Sequence, residues 1–366
     1  MIRIILFLII ILHGVVHLIG FLKEFGYGFT SQLNGEKLIT MTNNAIKVSG
    51  TFWMITCVVF IYAGVLYLLK KDWYWIPALA GLVTSQTLII IYWKDANIGT
   101  IVNVIILIAV ILSAAKFEFN RQFKSVAQAL KNEVVNENIF VSEDKVKELP
   151  QNVQRWLQQS NIIGKTHSNI IHVFQKGNMR LKPTTAWIPF QSEEYFTIDP
   201  PSFVWRADIK ASAFMTIGGR DKYHGGTGNM LIKPLYLFTI VDSKGNEIDQ
   251  GTLLRYLGEM AWFPQAAISD YLYWKEIDSL HARVTMKYKG VTASGVFTFN
   301  NKGLVSGFEA QRYGDFDGEY RMETWAVTTK SFKFFQGKKI GNVSEVTWKL
   351  KEGDFLWMKM EVTDIQ

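Results

Sequence analysis

The chain has 366 residues, 49% hydrophobic and 14% aromatic, with a mean hydropathy of +0.10, too apolar for an ordinary soluble protein of this length. The formal net charge of +7 is spread over both halves with no basic stripe, which argues against nucleic acid as a partner. The single cysteine, Cys57, excludes an intrachain disulfide.

Residues 1–115 hold only seven of the 39 Lys and Arg and four of the 32 Asp and Glu. Four apolar runs lie there, at about residues 2–22, 46–69, 73–93 and 98–115. Each approaches the roughly 20 residues that cross a hydrocarbon core about 30 Å thick. A four-helix transmembrane domain over 1–115 is therefore predicted. Arg3 ahead of IILFLIIIL resembles a secretory leader, but no A-x-A-type site follows and the apolar pattern continues through HGVVHLIGFLK, so cleavage is not expected. Trp73, Tyr74 and Trp75 open the third run, and Tyr92 and Trp93 close it, as an interfacial aromatic belt does.

Four crossings return the chain to its starting side. Arg3, Lys70, Lys71, Lys116, Arg121 and Lys124 collect on that side, against Lys23, Lys37, Lys47 and Lys94 on the other. The excess favours both termini in the cytoplasm of a bacterium, with the helices in the inner membrane. Within the runs, His13 and His17 stand four apart on one helix face, a spacing that suits a shared metal or a cofactor. Ser85 and Gln86 in the third run, and Asp95 and Asn103 at the start of the fourth, offer hydrogen-bond partners to this intramembrane cluster. Structural glue is favoured, because no further ligand but Cys57 completes a metal shell. A small polar pocket for a quinone or a lipid head group is the alternative.

Residues 116–165 form a connecting region. Phe119, Phe123, Val126, Leu130 and Val134 recur at helical spacing over 116–135, giving an amphipathic juxtamembrane helix that packs on the soluble domain or lies on lipid. NENIFVSEDK reads as a linker. A second helix is expected near Pro150, with Val153, Trp156 and Leu157 on one face and Gly164 at its end.

From about 166 to 366 the period becomes two. Val346, Trp348 and Leu350 alternate with polar residues before the turn EGD, and Phe355 with Trp357 starts the next strand. DSKGNE, KYKGV, FNNKGL and FQGKKIG mark further turns. At least eight antiparallel strands are implied, in an α+β domain with a curved sheet or half-barrel plugged by a helix over 249–263. On that helix Leu253, Leu257, Met260 and Ala261 form an apolar stripe, while Arg255, Glu259 and Trp262 follow one another on an adjacent face. Arg ahead of Glu is the weaker order for an i,i+4 pair, so this row is a candidate ligand wall, with the guanidinium on a carboxylate or phosphate and Trp262 on an apolar tail. A plain ion pair beside core residues is the simpler reading. A second candidate is GGRDKYHGGTGNM, where glycines surround Arg220, Asp221, Tyr223 and His224. Its spacing matches neither common phosphate-binding pattern, and His224, with Asp221 to orient it, is the best proton carrier of this half.

Three stretches, WKDANIGTIVN (93–103), GRDKYHGGTGNM (219–230) and DQGTLLRYLGEMAWFP (249–264), resemble an uncharacterised bacterial family known as a domain of unknown function, with L-R-Y-L-x-E-x-x-W-F-P the most specific motif. The resemblance covers nearly the whole chain, and it implies four membrane helices ahead of a β-rich domain. More distantly, the strand-and-plug arrangement is similar to the LolA and LolB lipoprotein-carrier fold. The family implies no catalytic residue, and GxSxG, HExxH, CxxC and Walker patterns are missing from the sequence. A membrane-anchored module that binds a lipid or other amphiphile without chemistry is the favoured expectation, with no metal and no cofactor. An enzyme of lipid or quinone metabolism using His224, Asp221 or Glu259, and a structural or sensory protein-interaction domain, are the alternatives.

Overall fold

The structure is a computed structural model that describes residues 2–27, 36–316 and 318–366. It divides into two units, residues 1–120 and 121–366.

The first unit is helical. Helices α1 (Ile2–Glu24), α2 (Asn43–Leu68), α3 (Trp75–Ile91), the short α4 (Trp93–Ala96) and the first part of α5 (Gly99–Asn132) follow the four apolar runs. Thr42 starts α2 by accepting from the Ala45 amide. Among the described residues three helices are long and apolar enough to cross a membrane: Arg3–Glu24, Asn43–Leu68 and Gly99–Asn132. The third run gives a shorter apolar helix of 17 residues, because Trp73 and Tyr74 lie in a turn and Tyr92 leaves the helical conformation at φ −105°. Ile10, Phe60, Ala63, Ala78, Leu82 and Ile106 form the buried centre of this unit. Gly14 lets α1 approach α2 closely, since a Cβ there would stand 2.9 Å from that of Phe60.

In the connecting region the amphipathic helix is present, and the linker and the end of the second helix are corrected. The amphipathic segment is the continuation of α5, which runs unbroken to Asn132 because the helical period never lapses between the two stretches. In the second unit its Phe123, Ala127 and Leu130 pack on Val204 of the sheet. The presumed linker instead holds β1 (Asn138–Phe140), which pairs with β2 (Thr166–Ser168). Between them lie α6 (Glu143–Lys147) and α7 (Gln151–Gln159). Pro150 precedes α7 as expected, and Val153, Trp156 and Leu157 are buried. The helix stops before Asn161, whose φ of 61° turns the chain, and not at Gly164.

The remaining strands are β3 (Ile170–Met179), β4 (Ile188–Thr197), β5 (Ser202–Lys210), β6 (Thr216–His224), β7 (Thr227–Pro234), β8 (Val241–Ser243), β9 (Leu272–Asp278), β10 (His281–Tyr288), β11 (Val291–Phe299), β12 (Val305–Phe316), β13 (Glu319–Phe335), β14 (Lys338–Leu350) and β15 (Gly353–Ile365). They form one 13-stranded antiparallel sheet in the order 8-7-6-5-4-3-15-14-13-12-11-10-9. Two meanders meet at the β3–β15 ladder, and among the described residues β8 and β9 share none, so the sheet is open. Helix α8 (Asn246–Glu259), extended by 3-10 turns at Met260–Trp262 and Pro264–Ile268, carries the chain from one outermost strand to the other. DSKGNE therefore opens this helix at Gly245 and makes no hairpin, whereas the turns at Lys289–Gly290 and Gln336–Gly337 do join strands.

A single core explains the arrangement. Leu253, Leu254, Tyr256 and Leu257 of α8 are fully buried with Phe196 and Phe203 from one meander and Val284, Phe297 and Phe308 from the other. Both meanders thus contribute residues to the core in which the helix is buried.

Candidate functional site

Strand alternation decides which polar side chains reach the inner face. In β5, Phe203, Trp205 and Ala207 are buried in the core; across the β5–β6 ladder Trp205 stands opposite Asp221 and Phe203 opposite Tyr223. Asp221 and Tyr223 consequently face α8. Arg220 and His224 have the opposite parity.

Arg255 of α8 is the centre of this site. Its Nε donates to Glu259 Oε1 at 2.9 Å, its Nη1 to Asp221 Oδ2 at 2.8 Å and its Nη2 to Glu194 Oε1 at 2.9 Å. The guanidinium carbon lies 4.7 Å from the Trp205 ring and 5.2 Å from that of Phe203. Glu194, on β4, is fully buried, and its second oxygen accepts from Gln175 Nε2 at 3.0 Å. Gln175 Oε1 in turn accepts from Ser192 at 2.7 Å and from Trp205 Nε1 at 3.2 Å. Burial pushes the carboxyl of Glu194 well above the usual carboxylate range, against the pull of Arg255, and raises that of Glu259 as well. Burial alone depresses an arginine, but the three carboxylates outweigh it and raise Arg255. Glu259 Oε2 is buried with no hydrogen-bond partner.

Beside this group lies a cavity of about 320 Å³. Trp205, Trp262, Phe308, Trp325, Trp348 and Met358 supply much of its apolar wall, and Asp221, Arg255, Glu259 and Arg312 its charged part. Trp262, 5% exposed, therefore shares a wall with Arg255 and Glu259, as the helical spacing implies. Arg220 borders the same space, but its guanidinium donates to Asn229 Oδ1 at 2.6 Å, and burial lowers its pKa. His224 is not oriented by Asp221: its Nε2 lies 2.8 Å from Glu133 Oε1, at the outer end of β6. Tyr223 is wholly buried, and burial raises its hydroxyl.

The helical unit holds the other predicted set. His17 Nδ1 lies 2.7 Å from the His13 carbonyl, which can only accept, so Nδ1 carries the proton and Nε2 accepts from Ser85 Oγ at 2.9 Å. His13 Nε2 reaches Asn103 Oδ1 at 2.8 Å, and Asn103 Nδ2 donates to Ser85 at 3.0 Å and to Gln86 Oε1 at 3.0 Å. These five residues form one hydrogen-bonded cluster, which Gln86 Nε2 extends by donating to Thr100 Oγ1 at 3.2 Å. Asp95, on α4, shares a cavity wall with His13 and His17. Among the described residues no three His, Cys, Asp or Glu gather as a metal site.

Sequence reasoning missed Glu194, Gln175 and Arg312. The signal was present: Phe190, Ser192, Glu194 and Phe196 share one strand parity, as do Phe308, Ala310 and Arg312, so each charged residue stands on an apolar face.

No curated protein matches the sequence. Among solved structures, the fold is similar to a DUF1329 family protein from Desulfovibrio piger at 9% identity, covering 62% of this chain and 93% of that one with a TM-score of 0.36. It is also similar to a structure from Vibrio parahaemolyticus described as an outer membrane lipoprotein-sorting protein domain, at 7% identity, covering 60% and 92% of the two chains with a TM-score of 0.32. The model of a family of unknown function, DUF6544, matches residues 140–360, which take in the whole of the site around Arg255, and the chain belongs to that family.

Proposed function

We propose that this protein is a membrane-anchored module that binds a lipid or other single-chain amphiphile without chemistry. In this reading the helical unit crosses a bacterial inner membrane four times, α8 plugs the curved sheet, and the cavity beside α8 takes the apolar tail. The observation that carries the proposal is the cavity itself: about 320 Å³, walled mainly by aromatic and aliphatic side chains, with charged groups gathered in one part. Small-ligand sites of roughly 300–1,000 Å³ have this composition, and a volume at the low end suits one chain. Arg255 ties up Glu194, Asp221 and one oxygen of Glu259 in a closed set, which favours holding over proton transfer.

The test is native mass spectrometry of full-length protein extracted with styrene–maleic acid, which avoids detergent, followed by solvent extraction. One amphiphile per chain is expected, and Ala261→Phe, which fills the cavity from its wall, is expected to lack it. Folded protein that carries no amphiphile and takes up neither dodecanoate nor dodecanol overturns the proposal.

A further inference from the structure

Arg255 was the obvious cation for a ligand's head group, yet its charge is already matched by carboxylates on Nε, Nη1 and Nη2, which take three of its five N–H donors. Arg312 differs. It lies on the inner face of β12, opposite α8, where a Cβ on Gly251 would stand 3.5 Å from its Nε. Its guanidinium carbon sits 5.0 Å from the Trp325 ring, and among the described residues it has no hydrogen bond and no ion pair. Its cross-strand neighbour Glu323 is held by Arg321 at 2.9 Å. Asp221 and Glu259 act on Arg312 through their fields alone, both already bonded to Arg255.

A guanidinium has five N–H donors, and leaving them unmatched beside apolar walls is costly. The orphaned Glu259 Oε2 belongs to the same cavity. Arg312 and Glu259 Oε2 thus border one cavity without hydrogen-bond partners, while Asp221 and Arg255 beside them are bonded to each other, and each of the two can address a further polar group. Burial raises the Glu259 carboxyl, so when protonated its free oxygen can donate to an oxyanion that Arg312 holds.

We propose that Arg312 is the head-group anchor of the cavity and selects amphiphiles that end in an oxyanion, a carboxylate or a phosphate monoester. This rests on the cavity's being an amphiphile site, as proposed above. Arg312 is a positioning cation on this reading, and Arg255 an internal clamp that keeps α8 on the sheet.

Full-length protein held in amphipol is titrated with dodecanoate, dodecyl phosphate and dodecanol, and binding is followed by native mass spectrometry. Both anions are expected to bind more tightly than the alcohol, and Arg312→Gln to weaken the anions about ten- to a hundred-fold while leaving dodecanol unchanged. The tighter of the two anions identifies a fatty-acid or a phosphate source. Arg312→Lys, which keeps the charge without the fork, is expected to retain the preference for anions, and it serves if Arg312→Gln does not fold. Equal affinity for dodecanol and the anions in the unaltered protein, or anion affinity untouched in Arg312→Gln, overturns the anchor and leaves the cavity reading standing. If none of the three binds the unaltered protein, both proposals fall.

Discussion

Removing Arg255 would leave three carboxylates facing one another beneath α8. Arg255→Met is therefore expected to lower stability by about 3–5 kcal/mol, the usual cost of stranding a buried charge, read as a fall in the denaturation midpoint of the full-length chain. Glu259→Gln is milder, because Gln still offers an oxygen to Arg255 and places an amide where Oε2 has no partner. The pH dependence follows from the same carboxyls. Burial raises Glu194 and Glu259 in the folded state, so the folded chain binds more protons than the unfolded one. Their contribution to stability is fully present below the ordinary glutamate value of 4.5 and is lost as the pH rises through the raised values. Thermal midpoints should accordingly fall as pH increases above that point, with a shallower fall in Glu259→Gln; identical slopes would show that Glu259 does not titrate in this window. At this scale the sequence disclosed the bond between Arg255 and Glu259, because i,i+4 spacing is local. It concealed Asp221 and Glu194 as further partners of Arg255, since those reach it only once β6, β4 and α8 are assembled.

Helix α8 was legible from its apolar stripe and the proline after it, and its depth was not. Leu254 and Tyr256, off the stripe, are as completely buried as Leu253 and Leu257, because core residues of both meanders pack with them. Contact with β7 is closest at Gly228, where a Cβ would stand 2.3 Å from Thr252 Oγ1 and 2.6 Å from the Ile248 carbonyl. Gly228→Ala is expected to cost about 1–3 kcal/mol by forcing that turn of α8 outward, and hydrogen exchange at the α8 amides should rise more than at the β13–β14 ladder. The same motif misled about His224. GRDKYHGGTGNM, weighed as a glycine-rich ligand site, is two strands around a turn at Gly225 and Gly226, both with positive φ. Alternation along β6 then sends Asp221 inward and leaves His224 to meet Glu133.

Across the whole second unit, hairpin turns and period-two patterning announced antiparallel strands. The joining of β3 to β15, which places the last strand in the middle of the sheet, has no local signature, because it pairs residues far apart in sequence. That closure of chain ends inside the sheet is what leaves β8 and β9 as the two free margins. A closed barrel has its radius set by strand number and stagger. An open sheet of 13 strands has no such constraint; a small change of twist at every ladder widens or narrows the wrap without breaking a backbone hydrogen bond. If the cavity holds an amphiphile, an open sheet can adjust its volume to the chain that fills it. In a series from decanoate to octadecanoate, affinity should keep rising with length at up to about 0.8 kcal/mol per buried methylene, with no abrupt cutoff; a sharp optimum would mean that the curvature is fixed. On the proposed reading, such a cavity would grade amphiphiles by the charge at one end and tolerate differences in length.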